Sequence, residues 1–187
     1  MGNYLTMIKF DPIAYSLGPF QITWYALSYI VGIIFSWRYF TFLSKKKFKI
    51  ITHEVIETFF NYSIIGVIIG GRMGYVIFYN FEYYFSNPIS ILYIWEGGMS
   101  FHGGLLGVIF AQLLTSKKFN VPFFTICDIT SISVPFGLML GRIANFINGE
   151  LYGRITNHPV GILFPNGGPL YRHPSQLYEA AFEGLFL

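Results

Sequence analysis

Long apolar stretches, each about the length of a bilayer crossing, constrain this chain more than any other feature. The first runs from Phe20 to Leu43 with Arg38 as its only charge. The second, from Val55 to Phe78, carries Arg72 well inside it. The third, from Met99 to Thr115, has no Asp, Glu, Lys or Arg, and the fourth, from Val121 to Phe146, holds Asp128 and Arg142. Roughly 20 predominantly apolar residues suffice to cross a hydrocarbon core as a helix. A fifth stretch opens near Leu177, and the sequence runs only to Leu187. Roughly ten helical residues cover about 15 Å, half a crossing. The expected architecture is an all-α, polytopic transmembrane bundle. It has four full spans and the start of a fifth, in one integral-membrane domain over residues 1–187 that is incomplete at its C-terminus.

Composition agrees. Charged residues are 11% of the 187, against about 25% in soluble domains, too few to clothe a water-facing surface. A net charge of +3, unevenly spread, is no phosphate-backbone footprint, so no nucleic-acid partner is expected. A single cysteine, Cys127, excludes an internal disulfide framework and a cysteine-based zinc cluster. The four histidines lack zinc-motif spacing, and neither metal nor cofactor is expected. The first stretch is too long for a signal-peptide core and lacks a basic leader, so it reads as a retained span.

Orientation follows from lysine and arginine in short loops. Lys45, Lys46, Lys47 and Lys49 follow the first stretch, and Lys117 and Lys118 follow the third. The Asn80–Gly98 connection has Glu82 and Glu96 and no basic residue. The basic loops are therefore expected inside. The N-terminus, the acidic connection and the loop over residues 148–176 are expected outside. Polar residues from four spans then fall in one outer layer: Tyr25, Arg72, His102 and Arg142. An ionisable group within a span is costly unless paired or near water, and so marks a functional position. Plainer roles stay open for each. Arg72 and Arg142 can snorkel to headgroups, His102 can be a packing histidine, and Tyr25 can belong to an aromatic belt.

The neighbours sharpen the pattern. His102 sits between two glycine pairs, in Gly97-Gly98-Met99-Ser100-Phe101-His102-Gly103-Gly104. Arg142 and Asn145, three residues apart, share a helix face. Asn148-Gly149 then signals the helix end, and Glu150 and Arg154 follow. Arginine suits phosphate because its planar fork binds bidentately.

At these residues the chain resembles the bacterial phosphatidylglycerol–prolipoprotein diacylglyceryl transferases. The resemblance lies in Gly141-Arg142-x-x-Asn145-Phe146-Ile147-Asn148-Gly149-Glu150-Leu151-x-Gly153-Arg154. Further blocks are Gly70-Gly71-Arg72-x-Gly74-Tyr75-Val76, the stretch around His102, and Arg172-His173-Pro174-Ser175-Gln176-Leu177-Tyr178-Glu179. The resemblance implies a seven-span enzyme of the cell inner membrane. Such an enzyme moves the diacylglyceryl group of phosphatidylglycerol to the lipobox cysteine in a prolipoprotein signal peptide. It also implies essential roles at Tyr25, His102, Arg142, Asn145, Glu150 and Gly153. On this reading His102, Arg142 and Tyr25 are the catalytic candidates. Arg142, Asn145, Glu150, Gly153, Arg154, Arg72, Gly98, Gly103 and Gly104 are the substrate-binding ones, the glycines leaving room for lipid or peptide. Since family members continue through two further spans, activity is expected of a longer form rather than of these 187 residues alone. A small transporter, or a non-catalytic lipid-binding membrane protein, is the alternative.

Overall fold

The computed structural model describes residues 10–17 and 20–186. The expected outward placement of the N-terminus falls largely on residues 1–9, outside the described residues. Two compact units are present. One comprises Met1–Arg38 and Ser131–Leu187, the other Tyr39–Thr130.

The helices match the apolar stretches, shifted by a few residues. Helix α1 spans Trp24–Lys46, α2 His53–Tyr79, α4 Phe101–Phe119 and α5 Phe123–Asn148, with a short α3 at Phe81–Ser86. Their starts and stops have local causes. Thr52 caps α2, its hydroxyl accepting from the Val55 amide at 3.4 Å. Ser100 caps α4 by accepting from the Gly103 amide at 3.2 Å. Each cap satisfies an amide that the first helical turn leaves without a partner. Asn120 closes α4 in the left-handed conformation at φ 52°, which asparagine tolerates. Among the described residues α1, α2 and α5 are long and apolar enough to cross a membrane. Helix α4, read as the third span, is 19 residues long. His102, Gln112, Lys117 and Lys118 make it less apolar than the others.

One span boundary changes, and one connection gains detail. The chain is not helical throughout: β1 (Ile13–Leu17) and β2 (Phe20–Thr23) form an antiparallel hairpin with Ser16 opposite Gln21. The first span therefore starts at Trp24 rather than Phe20. The Asn80–Gly98 connection is also ordered, as α3 followed by 3₁₀ turns at Pro88–Leu92 and Ile94–Glu96. The fifth apolar stretch opens as α6 (Ser175–Glu179) and continues as a π-helical turn over Ala180–Leu185.

The 39–130 unit is built on α2 packed against α4. Gly66, Gly70 and Gly74 recur every fourth residue on α2, and Gly103 and Gly107 do so on α4. A Cβ added at Gly66 would lie 2.5 Å from the Gly107 carbonyl oxygen, and one at Gly70 would collide with that of Gly103. The two backbones touch along this seam, the packing that small residues permit between membrane helices. Beside the seam, Phe40, Phe59 and Phe60 form a buried ring cluster with centroids 5.2–5.5 Å apart. Around the seam Ile64, Ile65, Ile68, Ile69 and Phe110 are exposed, as suits helices whose surroundings are hydrocarbon.

In the other unit, Phe35 of α1 stacks on Phe136 of α5 at 3.8 Å. Helix α5 runs on through Pro135. Beyond it, residues 149–173 fold back on themselves through bridges pairing Arg172 with Ile155 and Ile162.

Candidate active site

In the 39–130 unit, Arg72 is only 3% exposed. Its guanidinium is consumed by backbone oxygens of the acidic connection. It donates to the carbonyls of Ser90 at 2.6 Å, Ile91 at 2.8 Å, Tyr93 at 3.1 Å, Gly98 at 3.3 Å and also Gly97, and it lies 5.0 Å from the Tyr84 ring centroid. The residue read as a headgroup ligand is thus the organiser of the segment that leads to His102. Gly97 and Gly98 have φ of 85° and 78°, conformations that side chains resist. A Cβ at Gly98 would meet the Tyr75 ring at 2.5 Å.

From that segment the Ser100 amide bonds the Gly71 carbonyl at 2.9 Å, and α4 begins. His102 stands in its first turn, where the sequence places it. The side chain is exposed, its ring is edge-on to Phe101 at 5.6 Å, and it makes no hydrogen bond among the described residues. Its nitrogens are available to an incoming group. Gly103, expected to leave room for substrate, spends its missing side chain on the helix seam. Gly104 is buried with Val67 alongside.

In the other unit, Tyr25 opens α1 with its hydroxyl 3.4 Å from that of Tyr29. Arg142 and Asn145 stand one turn apart near the end of α5, and each has its own carboxylate. Nε of Arg142 lies 2.9 Å from Oε2 of Glu179 and 3.4 Å from Oε2 of Glu183. Asn145, 8% exposed, donates to Oε1 of Glu150 at 2.9 Å, and Asn148 donates to the same oxygen at 3.1 Å. Two amides therefore orient the Glu150 carboxylate.

Glu150 is held by its backbone too. Its amide bonds the Asn145 carbonyl at 3.1 Å, and its carbonyl accepts from Gln176, which is fully buried. Leu151 follows at φ 55°, a genuine outlier for a bulky residue. The Ser175 hydroxyl, donating to the Leu151 carbonyl at 3.0 Å, helps to keep it there.

Gly153 pairs with the strand-like return of the loop: its amide bonds the His173 carbonyl at 2.9 Å. A Cβ on it would lie 2.9 Å from that carbonyl oxygen, so glycine is needed for this approach. Arg172 braces the same point, donating to the Gly167 carbonyl at 2.9 Å with its guanidinium 5.0 Å from the Tyr152 ring centroid. Arg154 is exposed and makes no side-chain hydrogen bond or ion pair among the described residues.

The partners to which the sequence reading gave no role are Glu179, Glu183, Asn148 and Gln176. Glu179 and Glu183, four residues apart in an apolar segment, carried a signal: two carboxylates on one helix face need a cation. Among the described residues no cluster of His, Cys, Asp and Glu could hold a metal ion.

Residues 12–187 match the family model described as prolipoprotein diacylglyceryl transferase. Over 177 residues the chain is 56% identical to the phosphatidylglycerol–prolipoprotein diacylglyceryl transferase of Rickettsia canadensis (strain McKiel), covering 95% of this chain and 68% of the relative. The protein of the same name in Rickettsia felis (strain ATCC VR-1525 / URRWXCal2) is 54% identical over 183 residues, covering 98% of this chain and 71% of the relative. With the match running through both glycine-flanked blocks and the whole Gly141–Arg154 stretch, the chain belongs to the prolipoprotein diacylglyceryl transferase family.

Proposed function

We propose that this multi-pass membrane protein transfers the diacylglyceryl group of phosphatidylglycerol to the thiol of a prolipoprotein cysteine. The observation that carries the reading is the family match over residues 12–187. In the reaction a C–S bond forms at the glycerol carbon that carries the phosphate, the C–O bond to phosphate breaks, and glycerol phosphate leaves. A cysteine thiol has a free pKa of about 8.5 and must shed its proton to attack well. His102 takes that proton: imidazole is the commonest general base in proteins, and this one carries no competing side-chain hydrogen bond among the described residues. Arg142 holds the departing phosphate through a charge-assisted, forked contact. Asn145 and Glu150 hold the glycerol hydroxyls, Tyr25 bonds the headgroup, and Arg154, exposed beyond Gly153, attracts the anionic lipid. The thiol acceptor is the lipobox cysteine. The basic loops support an orientation with this chemistry toward the outer leaflet, in the cell inner membrane that the family resemblance implies.

The test is complementation. Cells depleted of their own diacylglyceryl transferase receive the 187 residues alone, or the same residues continued by the C-terminal part of the Rickettsia felis relative. Lipidation of a model prolipoprotein is scored by mass. The continued chain is expected to restore the lipid adduct, and its failure would overturn the reading. Within that chain Arg142→Ala is expected to abolish transfer, and Arg142→Lys to recover only a minor part, because lysine lacks the fork. His102→Gln is expected to lower transfer by about a hundredfold or more, the usual worth of a general base.

A further inference from the structure

Arg142 carries more negative charge than one guanidinium neutralises. Glu179 approaches Nε at 2.9 Å, whereas Glu183 contacts Nε and one terminal nitrogen at 3.4 Å each. The two carboxylates are not equivalent. Glu183 is the farther and the more exposed, its side chain 40% accessible against 34% for Glu179. The other terminal nitrogen, NH1, has no partner among the described residues. The backbone sets this arrangement. Gly184 lies so close to α5 that a Cβ on it would collide with Met139, which seats the π-helical turn on the helix carrying Arg142. Isolated π turns are uncommon and concentrate at functional positions.

An arginine faced by two carboxylates repels a third anion, so a phosphodiester can reach it only by replacing one of them. We propose that Glu183 is a displaceable counter-ion that occupies the phosphate position of Arg142 in the unliganded protein. Glu179 is the positioning residue that keeps Nε fixed while the terminal nitrogens turn to the lipid phosphate. The inference rests on the functional reading above. It adds that phosphatidylglycerol binds by exchange against an internal carboxylate rather than into a ready cationic site. Glu183, with its side chain 40% accessible, is the less enclosed of the two carboxylates and so the one whose release costs less.

The experiment is native mass spectrometry on the detergent-purified chain, titrated with phosphatidylglycerol and, in parallel, with phosphatidylcholine of the same acyl chains. Glu183→Gln keeps the shape and removes the competing charge. It is expected to bind phosphatidylglycerol about tenfold more tightly than wild type, the scale of one charge-assisted contact, with a smaller gain for phosphatidylcholine, whose choline cation offsets its phosphodiester charge. Glu179→Gln is expected to bind phosphatidylglycerol no better than wild type, and the Glu183→Gln gain is expected to vanish in an Arg142→Ala background. If wild type binds phosphatidylglycerol and Glu183→Gln gains nothing, the exchange is wrong while the function stands. An equal gain in Glu179→Gln, or a gain that survives Arg142→Ala, shows general electrostatics and overturns it. If neither wild type nor Glu183→Gln prefers phosphatidylglycerol, both the functional reading and the exchange fall.

Discussion

Replacing Arg72 with methionine is expected to release the segment from Ser90 to Gly98 and to destabilise the chain by at least about 3 kcal/mol. The guanidinium is the shared donor for the carbonyls of Ser90, Ile91, Tyr93, Gly97 and Gly98. Methionine fills comparable volume and donates nothing. Each carbonyl left dry costs roughly 1–3 kcal/mol, and the segment escapes that cost only by opening to water or headgroups. Hydrogen exchange in detergent checks this directly: the amides from Ser90 to Ser100 lose protection first, ahead of those in α4. Lysine is a poor substitute. Its single ammonium has three donors from one point and cannot address oxygens spread around a plane. Unchanged protection in Arg72→Met would show that the segment holds itself. Because His102 follows this segment, transfer activity in the continued chain is expected to fall together with protection.

The second large effect lies in the α2–α4 seam. Gly70→Leu or Gly103→Leu is expected to abolish the helix pair, with loss of folded protein from detergent extracts. Overpacking a core normally costs about 1–3 kcal/mol because side chains can shift. Here the added carbon meets a backbone carbonyl: Gly103 at Gly70, and Gly70 at Gly103. No rotamer relieves that clash, so the helices must part along their length. Even alanine is expected to lower the thermal midpoint at Gly66, Gly70, Gly103 or Gly107. Gly137 provides the control. A Cβ there meets nothing within 4 Å, and Gly137→Ala is expected to be neutral or to stabilise by up to about 1 kcal/mol. Equal midpoints for Gly103→Ala and Gly137→Ala would refute the seam.

Much of this was legible from residue types. Apolar length and the lysines of two loops locate the long helices, and Asn148-Gly149 marks the end of α5, which stops at Asn148 with Gly149 at φ 67°. The third span, read from Met99, puts His102 in its first turn, and the histidine stands in the first turn of α4. The role of Arg72 was not legible, because its partners are carbonyl oxygens, which every residue owns and no sequence displays. The hairpin hid for another reason. Its strands, Ile13–Leu17 and Phe20–Thr23, are short and sit in an apolar background where alternation is weak, though Gly18-Pro19 between them is a turn signal. Glu179 and Glu183 were visible as charges in an apolar stretch. Their partner was not, since Arg142 is 41 residues from Glu183 along the chain. The glycine seam was readable as two every-fourth-residue series, and Gly103, expected beside substrate, belongs to one of them.

That seam also implies an order of assembly. Inside a bilayer an unpaired backbone is prohibitive, so each helix is complete before it meets another. The entropy that makes glycine a poor helix former in water, about 1 kcal/mol relative to alanine, is then already settled when α2 and α4 dock. What remains is a close fit between two finished rods joined by some twenty residues of chain, a short search. Gly71 and Arg72 already stand together on α2, and docking brings Ser100 and the 90–98 segment within reach of them. The 90–98 connection therefore settles after the two helices, and a chain delayed in docking would carry His102 beside a connection not yet fixed.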